Sequence, residues 1–517
     1  MSFPWLTVLA LLPLVGAVLM LVVKGPRAKP LALAFSLATL VLAVVVALQY
    51  RPGGGMQFVE QVVWIRPLGA HYALGLDGIG LTLVLLTAVL TPIVMIASWN
   101  DAEERKPGET DAPEPGRNKW GPAAFMGLVL CIESFGLFAF TSIDVFLFYL
   151  FFEVILIPMY FLIGAFGGSR RSYAAGKFLL FGLFGGFVML ASVIGLYVVS
   201  ARAGTPSYLL SDLMRLDIPE TTGRWLFVGF MVAFAIKAPL VPFHSWMPDA
   251  AEQSTPGGAV LLAGVLDKVG TFGMIRFCLY LFPEASRWAT PVVLTLATVS
   301  IIYGALMAIV SKDLHRLIGW TSISHFGFIV LGIFAFTSQS MVGSTLYMLN
   351  HGLSTAALFL AAGFMIKRRN SRQIGDFGGV QKVAPVLTGL LLFAGLSTMA
   401  LPGLSSFVSE FMVLGGTFSR HPAFASIATV GIVLAALYVL IMYQRTATGP
   451  VTEQVREHVT SDLGTRERLA LAPLVLLILV LGFFPKPLLG AIEPTVAATM
   501  THVGVSDPAH PVAEEGR

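Results

Sequence analysis

Apolar residues run in long blocks along this chain, and the polar positions between them are few and grouped. A helix needs about 20 apolar residues to cross a hydrocarbon layer ~30 Å thick. The pattern predicts fourteen such spans, at 2–23, 30–50, 77–98, 121–140, 143–166, 172–200, 224–250, 256–282, 288–311, 315–337, 340–366, 385–419, 422–447 and 468–490. The first has no basic segment before it and is too long for a typical leader, so it reads as a retained helix. Spans 224–250 and 385–419 are long and interrupted by proline and glycine. Proline removes a backbone donor, and in hydrocarbon the freed carbonyls need protein or water partners. Both spans read as broken helices, the construction found where ions cross membranes.

Outside the spans the pattern changes. Residues 56–76 alternate (Phe58, Val59, Val62, Val63, Trp64, Ile65) and predict an external β-hairpin. Residues 99–120 form a charged cytoplasmic loop, 203–220 an external loop with a short interfacial helix, and the segment after Gly490 a frayed tail. The two broken spans each place a phenylalanine and a serine after a proline: Phe243 and Ser245, then Phe407 and Ser409. Five spans lie in each of 121–282 and 288–447, and an odd number per repeat forces inverted topology. The expected fold is an all-α polytopic membrane protein of fourteen transmembrane helices with two inverted five-helix repeats, each containing a broken helix. Residues 1–120 supply three N-terminal helices with the hairpin and loop, and 448–517 the last helix and tail.

Composition agrees: 56% of residues are hydrophobic, 12% are charged and mean hydropathy is +0.81. Cys131 and Cys278 are the only cysteines, too few for an iron–sulfur cluster or a zinc ribbon. The sequence has no P-loop and no glycine-rich nucleotide fingerprint. Electron transfer by this chain alone is not expected. Of 33 basic residues, 21 fall in one set of alternate loops, including Lys24, Arg105, Lys106, Arg117 and Lys119. Ten, Arg276 among them, fall in the other set, which places both termini outside. The two left over, Lys237 and Lys268, lie within spans.

With a rise of ~1.5 Å per residue, Glu153, Lys237, Lys268, His325, His351 and Glu410 all fall about 14–20 Å into their spans. Residues of separate helices at one depth can form a row lying flat in the membrane. Glu153 read blandly is a protonated carboxyl bonded to backbone, and Lys237 its fixed counter-ion. A charge at the bilayer centre costs roughly 2.5–3.5 kcal/mol, so pairing is expected, and a pair whose separation changes is a proton switch. Asp267 adjoins Lys268, but neighbouring helix positions diverge and do not face each other. It either pairs elsewhere or lines a cavity. His325 and His351 are either satisfied core histidines or relay groups of near-neutral pKa. Glu133 is a weaker candidate than Glu153. His244 is expected to bond backbone freed at the first break, and Asp77 and Asp144 to mark span ends.

These residues carry a resemblance. Lys237-Ala-Pro through Pro-Phe-His-Ser-Trp-Met-Pro-Asp-Ala, Thr255-Pro-Gly, Lys268-Val-Gly-Thr-Phe-Gly and Ser324-His325-Phe-Gly are similar to the antiporter-like subunits of respiratory complex I, the proton-pumping NADH:quinone oxidoreductase. Nearly the whole chain is covered. Phe148 to Phe161, around Glu153, resembles the fifth helix of the M-type subunits. Glu410 stands where L- and N-type paralogues usually have lysine. The resemblance implies that Glu153 and Lys237 form the charged pair, Lys268 the central relay and Glu410 the outlet, with His325 and His351 bridging. Asp267 departs from the pattern expected of many members.

The resemblance also implies a bacterial inner-membrane protein among other membrane-arm subunits, including paralogous antiporter-like ones. It places flavin, iron–sulfur clusters and quinone in partner subunits, with no cofactor, metal or nucleic acid on this chain. The competing readings are a subunit of a multisubunit cation/proton antiporter, the membrane arm of a hydrogenase-type complex, and a structural scaffold that moves no ions.

Overall fold

The computed structural model describes residues 3–23, 25–53, 55–102, 120–204 and 206–508, and they are mostly helical. Lys24, Arg105, Lys106, Arg117 and Lys119, and with them most of the predicted 99–120 loop, lie outside the described residues. Helices α1 (Trp5–Leu19) and α2 (Ala28–Gln49) precede a hairpin of β1 (Gln57–Ile65) and β2 (Ala70–Leu76). Then follow α3 (Gly78–Ala97), α4 (Pro122–Thr141), α5 (Val145–Phe166), α6 (Arg171–Arg202), α7 (Glu220–Lys237) and α8 (Trp246–Gln253). The centre is α9 (Pro256–Leu279), α10 (Pro283–Val310), α11 (Leu314–Phe334) and α12 (Ser338–Arg369). The chain continues with α13 (Pro385–Thr398), α14 (Ser405–Arg420), α15 (Pro422–Ala447), α16 (Thr465–Phe483) and α17 (Lys486–Val503).

Among the described residues ten helices are long and apolar enough to cross a membrane, or eleven if the bent pair α16–α17 counts as one. The expectation of fourteen spans of about 20 residues or more is therefore met only in part, while the two spans expected to be broken are broken. Span 2–23 is a 15-residue helix, and spans 224–250 and 385–419 are split into α7 with α8 and α13 with α14. Apart from Pro256 and Arg316, helices α9 and α11 are buried throughout, whereas α6 and α15 present Leu180, Phe184, Phe187, Val430 and Val433 outward. An apolar outer surface around a polar-bearing interior is the arrangement that hydrocarbon requires.

The hairpin forms as the alternation predicts, antiparallel, with two irregularities of register. Its Glu60 accepts from the amides of Leu6 and Thr7 at 2.7 and 3.1 Å, satisfying donors that the first turn of α1 leaves open. The loop at 203–220 holds one short helix, Leu210–Leu213. Asp77 and Asp144 are helix caps, accepting from the amides of Gly80 and Leu147.

Two sequence readings fail at the C-terminal end. Span 468–490 stops at Phe483, where the chain bends by 67°, and residues 491–503 of the expected tail are not frayed, while those beyond 508 lie outside the described residues. They belong to α17, whose Ile492, Val496 and Met500 are buried where it packs on α3 and α12. Those positions recur every four residues, a helical stripe that the Ala/Pro/Glu composition hides.

One end of the bundle collects residues that the loop count places together. Arg316 contacts Asp249 and Glu252 at 2.5 and 2.7 Å, Arg170 reaches Glu252 and Lys177 reaches Asp249. Arg368 forks onto both oxygens of Glu467. Nearby, Asp462 accepts from the amides of Val386 and Leu387 at the start of α13. Partial burial pushes its pKa up, but the amides of Val386, Leu463 and Leu387 and the charge of Arg368 outweigh this and hold it below the usual carboxyl value.

The sign of the pH effect follows. The unfolded carboxyl takes up a proton more readily than the folded one, so the clasp stabilises fully above the ordinary range of ~4. It is lost as pH falls through the depressed folded value. Asp462→Ala is expected to cost about 1–2 kcal/mol and to raise amide exchange at Val386 and Leu387 at neutral pH, with no such difference from wild type in strong acid. Hydrogen-exchange mass spectrometry checks both arms.

Candidate functional site

Pro239 and Pro242 end α7 immediately after Lys237. Two of the groups freed at this break find local partners. Trp246 Nε1 donates to the Ile236 carbonyl at 3.0 Å, and the Val241 amide donates to Ser300 Oγ at 2.9 Å. His244, expected in this role, packs its ring against Tyr303 and Trp320 instead. The indole reaches back over the break and occupies the carbonyl first. Pro402 and Gly403 interrupt the second broken helix, with Ala400 and Gly403 both at positive φ. There Asn350 of α12 donates to the Ser405 carbonyl at 2.7 Å and to Ser409 Oγ at 3.2 Å.

Lys237 is 2% exposed; its Nζ donates to the Phe152 carbonyl at 3.0 Å and lies 4.3 Å from the centre of the Phe152 ring. Glu153 is within electrostatic range of it, but among the described residues the two form no direct ion pair, and Glu153 Oε1 has no hydrogen-bond partner. The charged pair is thus a separated one here. The cause is on α6, where Gly186 makes room for the carboxylate; a Cβ there would lie 1.9 Å from Oε1. Glu133 is fully buried on α4, with Ser36 and Thr91 as its polar neighbours rather than a lysine.

Helix α9 is not a regular α-helix. Leu262–Leu266 and Met274–Leu279 are π-wound, with the α-helical turn Lys268–Gly273 between them. Wide turns of this kind disturb the i→i−4 ladder and recur at functional sites. The Ala263 carbonyl accepts from Lys268 Nζ, and the same Nζ lies 2.7 Å from His351 Nδ1. The His351 and His325 rings are 5.3 Å apart, and His325 Nε2 is 3.3 Å from the hydroxyl of Tyr438. The His325 ring also packs 6.1 Å from that of Tyr347, whose hydroxyl donates to Glu410 Oε2 at 2.7 Å.

Lys268, His351, His325 and Glu410 are therefore brought together across α9, α12, α11 and α14, the first three near the midpoints of their helices. Glu153 and Lys237 form a second group at the first break. The sequence reading missed the two tyrosines that complete the row. Tyr347 stands four residues before His351 and so on the same face of α12, a spacing that could have found it. It also set Arg276 outside the membrane. Arg276 is buried in the second π turn and paired with Asp77 at 2.6 Å.

A helical bundle with two proline-broken helices and a buried row of lysine, histidine and carboxylate groups is the architecture of an ion-translocating membrane protein. The chain belongs to the NADH:quinone oxidoreductase/Mrp antiporter membrane family, whose model matches residues 142–435. It is similar to the NADH-quinone oxidoreductase subunit M of Mycobacterium tuberculosis, 50% identical over 546 residues that cover 100% of this chain and 98% of the relative. The subunit M of Rhodobacter capsulatus is 35% identical over 95% of each chain. A chain of respiratory complex I from Thermus thermophilus superposes with a TM-score of 0.85 at 31% identity, covering 96% of this chain and 100% of that one. A chain of the Mrp complex from Dietzia shares the fold, with a TM-score of 0.82 at 20% identity over 97% and 100% of the two chains.

Proposed function

We propose that this chain is the M-type proton-translocating membrane subunit of an NADH:quinone oxidoreductase. The observation that carries the reading is the buried row from Lys268 through His351, His325 and Tyr347 to Glu410, each member in contact with the next. Glu153 and Lys237 take up and release charge at the first break, Lys268 relays it, the histidines bridge, and Glu410 is the outlet. The Lys268–His351 and Tyr347–Glu410 links are hydrogen bonds along which protons exchange directly, and the two ring contacts between them need a bridging water. Redox energy reaches the row from quinone reduction elsewhere in the complex, through neighbouring membrane-arm subunits.

In this reading flavin, iron–sulfur clusters and quinone belong to those partners, and for the clusters two cysteines cannot supply the usual four thiolates. Counting α1, α7 with α8, α13 with α14, and α16 as crossings gives fourteen spans, with 121–282 and 288–447 as inverted repeats. The basic end around Arg170, Arg316 and Arg368 faces the cytoplasm, which leaves both termini on the outer side of a bacterial inner membrane. The multisubunit antiporter reading has the shared fold in its favour, but the relatives more than 30% identical favour the oxidoreductase.

Glu153→Gln is expected to abolish most NADH-driven proton pumping in inverted vesicles, and Glu133→Gln to leave more than half. The first amide removes the carboxylate within range of Lys237, and the second touches no lysine. Pumping is scored against assembled complex on a native gel. Equal losses would mean that the wrong carboxylate carries the switch.

A further inference from the structure

We infer that Asp267 is a proton carrier between Lys237 and Lys268, joining the two groups of buried charge into one row. The inference rests on the proton-translocating reading above. Asp267 is fully buried, and among the described residues neither carboxylate oxygen has a hydrogen-bond partner. A buried carboxylate with nothing to accept from is costly to keep. It lies within electrostatic range of both lysines, yet neither amine is committed to it. Lys237 is held by the Phe152 carbonyl, and Lys268 by the Ala263 carbonyl and His351.

The helices meet closely at this level. A Cβ on Gly270 would lie 2.7 Å from the Ala238 amide and 2.8 Å from the Phe234 carbonyl. The absence of a side chain at Gly270 thus lets α9 abut the end of α7 where Lys237 stands. Adjacent positions on a helix diverge by about 100°, so Lys268 and Asp267 cannot serve the same neighbour. Lys268 is turned to His351, and the carboxylate next to it occupies a different face of α9.

Two amines anchored on different carbonyls cannot meet, and a proton passing between them needs an acceptor in the gap. The steps balance. The Lys237 ammonium gives a proton to the Asp267 carboxylate, leaving a neutral amine and a neutral acid. The acid then gives that proton to the neutral Lys268 amine, which restores the carboxylate and leaves an ammonium able to pass charge to His351. Separations beyond a direct hydrogen bond are spanned by one bridging water, at little energetic cost.

The test uses membrane vesicles holding the assembled complex, with Asp267→Asn, Asp267→Glu and, as reference, Lys237→Ala. Asp267→Asn is expected to assemble normally and lose most of its NADH-driven pumping, while Asp267→Glu recovers it. If Lys237→Ala loses pumping and Asp267→Asn keeps it, the carrier role is overturned while the wider reading stands. If neither substitution affects pumping, the wider reading has failed. A loss in Asp267→Asn that glutamate does not rescue also overturns the proposal. Should Asp267→Asn not accumulate, Asp267→Leu removes the unpartnered polar group altogether; assembly without pumping supports the carrier role. Failure of both to assemble marks a structural residue and overturns it.

Discussion

Lys237→Ala is expected to lower NADH-driven pumping roughly a hundredfold, the lower end of what a positioned proton carrier contributes, while the complex still assembles. The lysine is buried at the last turn of α7, where its amine touches one carbonyl and one ring. Removing it releases the Phe152 carbonyl and exposes a small cavity, a cost of about 2–3 kcal/mol set against a large membrane bundle. It also removes the ammonium within electrostatic range of Glu153. Lys237→Met separates the two effects, because it keeps the volume and discards the charge. If pumping in either variant equals wild type at equal assembly, Lys237 has no part in translocation.

Glu410→Ala is expected to lose most pumping, with NADH-to-quinone activity falling alongside it where the two are tightly coupled. Glu410 is 4% exposed and follows the Pro402–Gly403 break, and its Oε2 accepts from Tyr347. Alanine leaves that hydroxyl unpaired in a buried place, which costs about 1–3 kcal/mol. Glu410→Gln retains an acceptor for Tyr347 but cannot bind and release a proton, so it should pump as poorly as alanine while assembling better. Glu410→Asp keeps the chemistry one methylene shorter and should pump partially. Pumping by Glu410→Gln at the wild-type level would make this residue a hydrogen-bonding anchor, with the outlet elsewhere.

Much of this was legible in the sequence because membranes make polar residues rare. A lysine or carboxylate amid twenty apolar neighbours identifies itself, and Glu153, Lys237, Lys268 and Glu410 all did. Prolines at 239 and 402 marked the two breaks for the same reason. What stayed hidden depends on rotation about helix axes. Nothing in the residues of α9 announces its two π turns, so the contact from Lys268 to His351 could not be read. Tyr347 and Tyr438 are apolar enough to pass as packing residues until their hydroxyls are placed beside Glu410 and His325. The separated Glu153 and Lys237 depend on Gly186, thirty-three positions away on another helix. The tail was misread because its burial follows spacing while its composition points to disorder.

Lys268, His351 and His325 stand near helix midpoints, so under the proposed function the row runs across the helices and parallel to the plane of the bilayer. A charge moving from Lys268 to His351 and on toward Glu410 therefore stays near one electrical potential. Carrying an elementary charge through the whole bilayer against 100 mV takes ~2.3 kcal/mol, and almost none of that falls on the lateral steps. The work against the membrane voltage is confined to two places, where a proton reaches the row from one aqueous side and where it leaves for the other. Voltage should accordingly brake uptake and release while leaving transfer between lysine and histidine nearly indifferent to it.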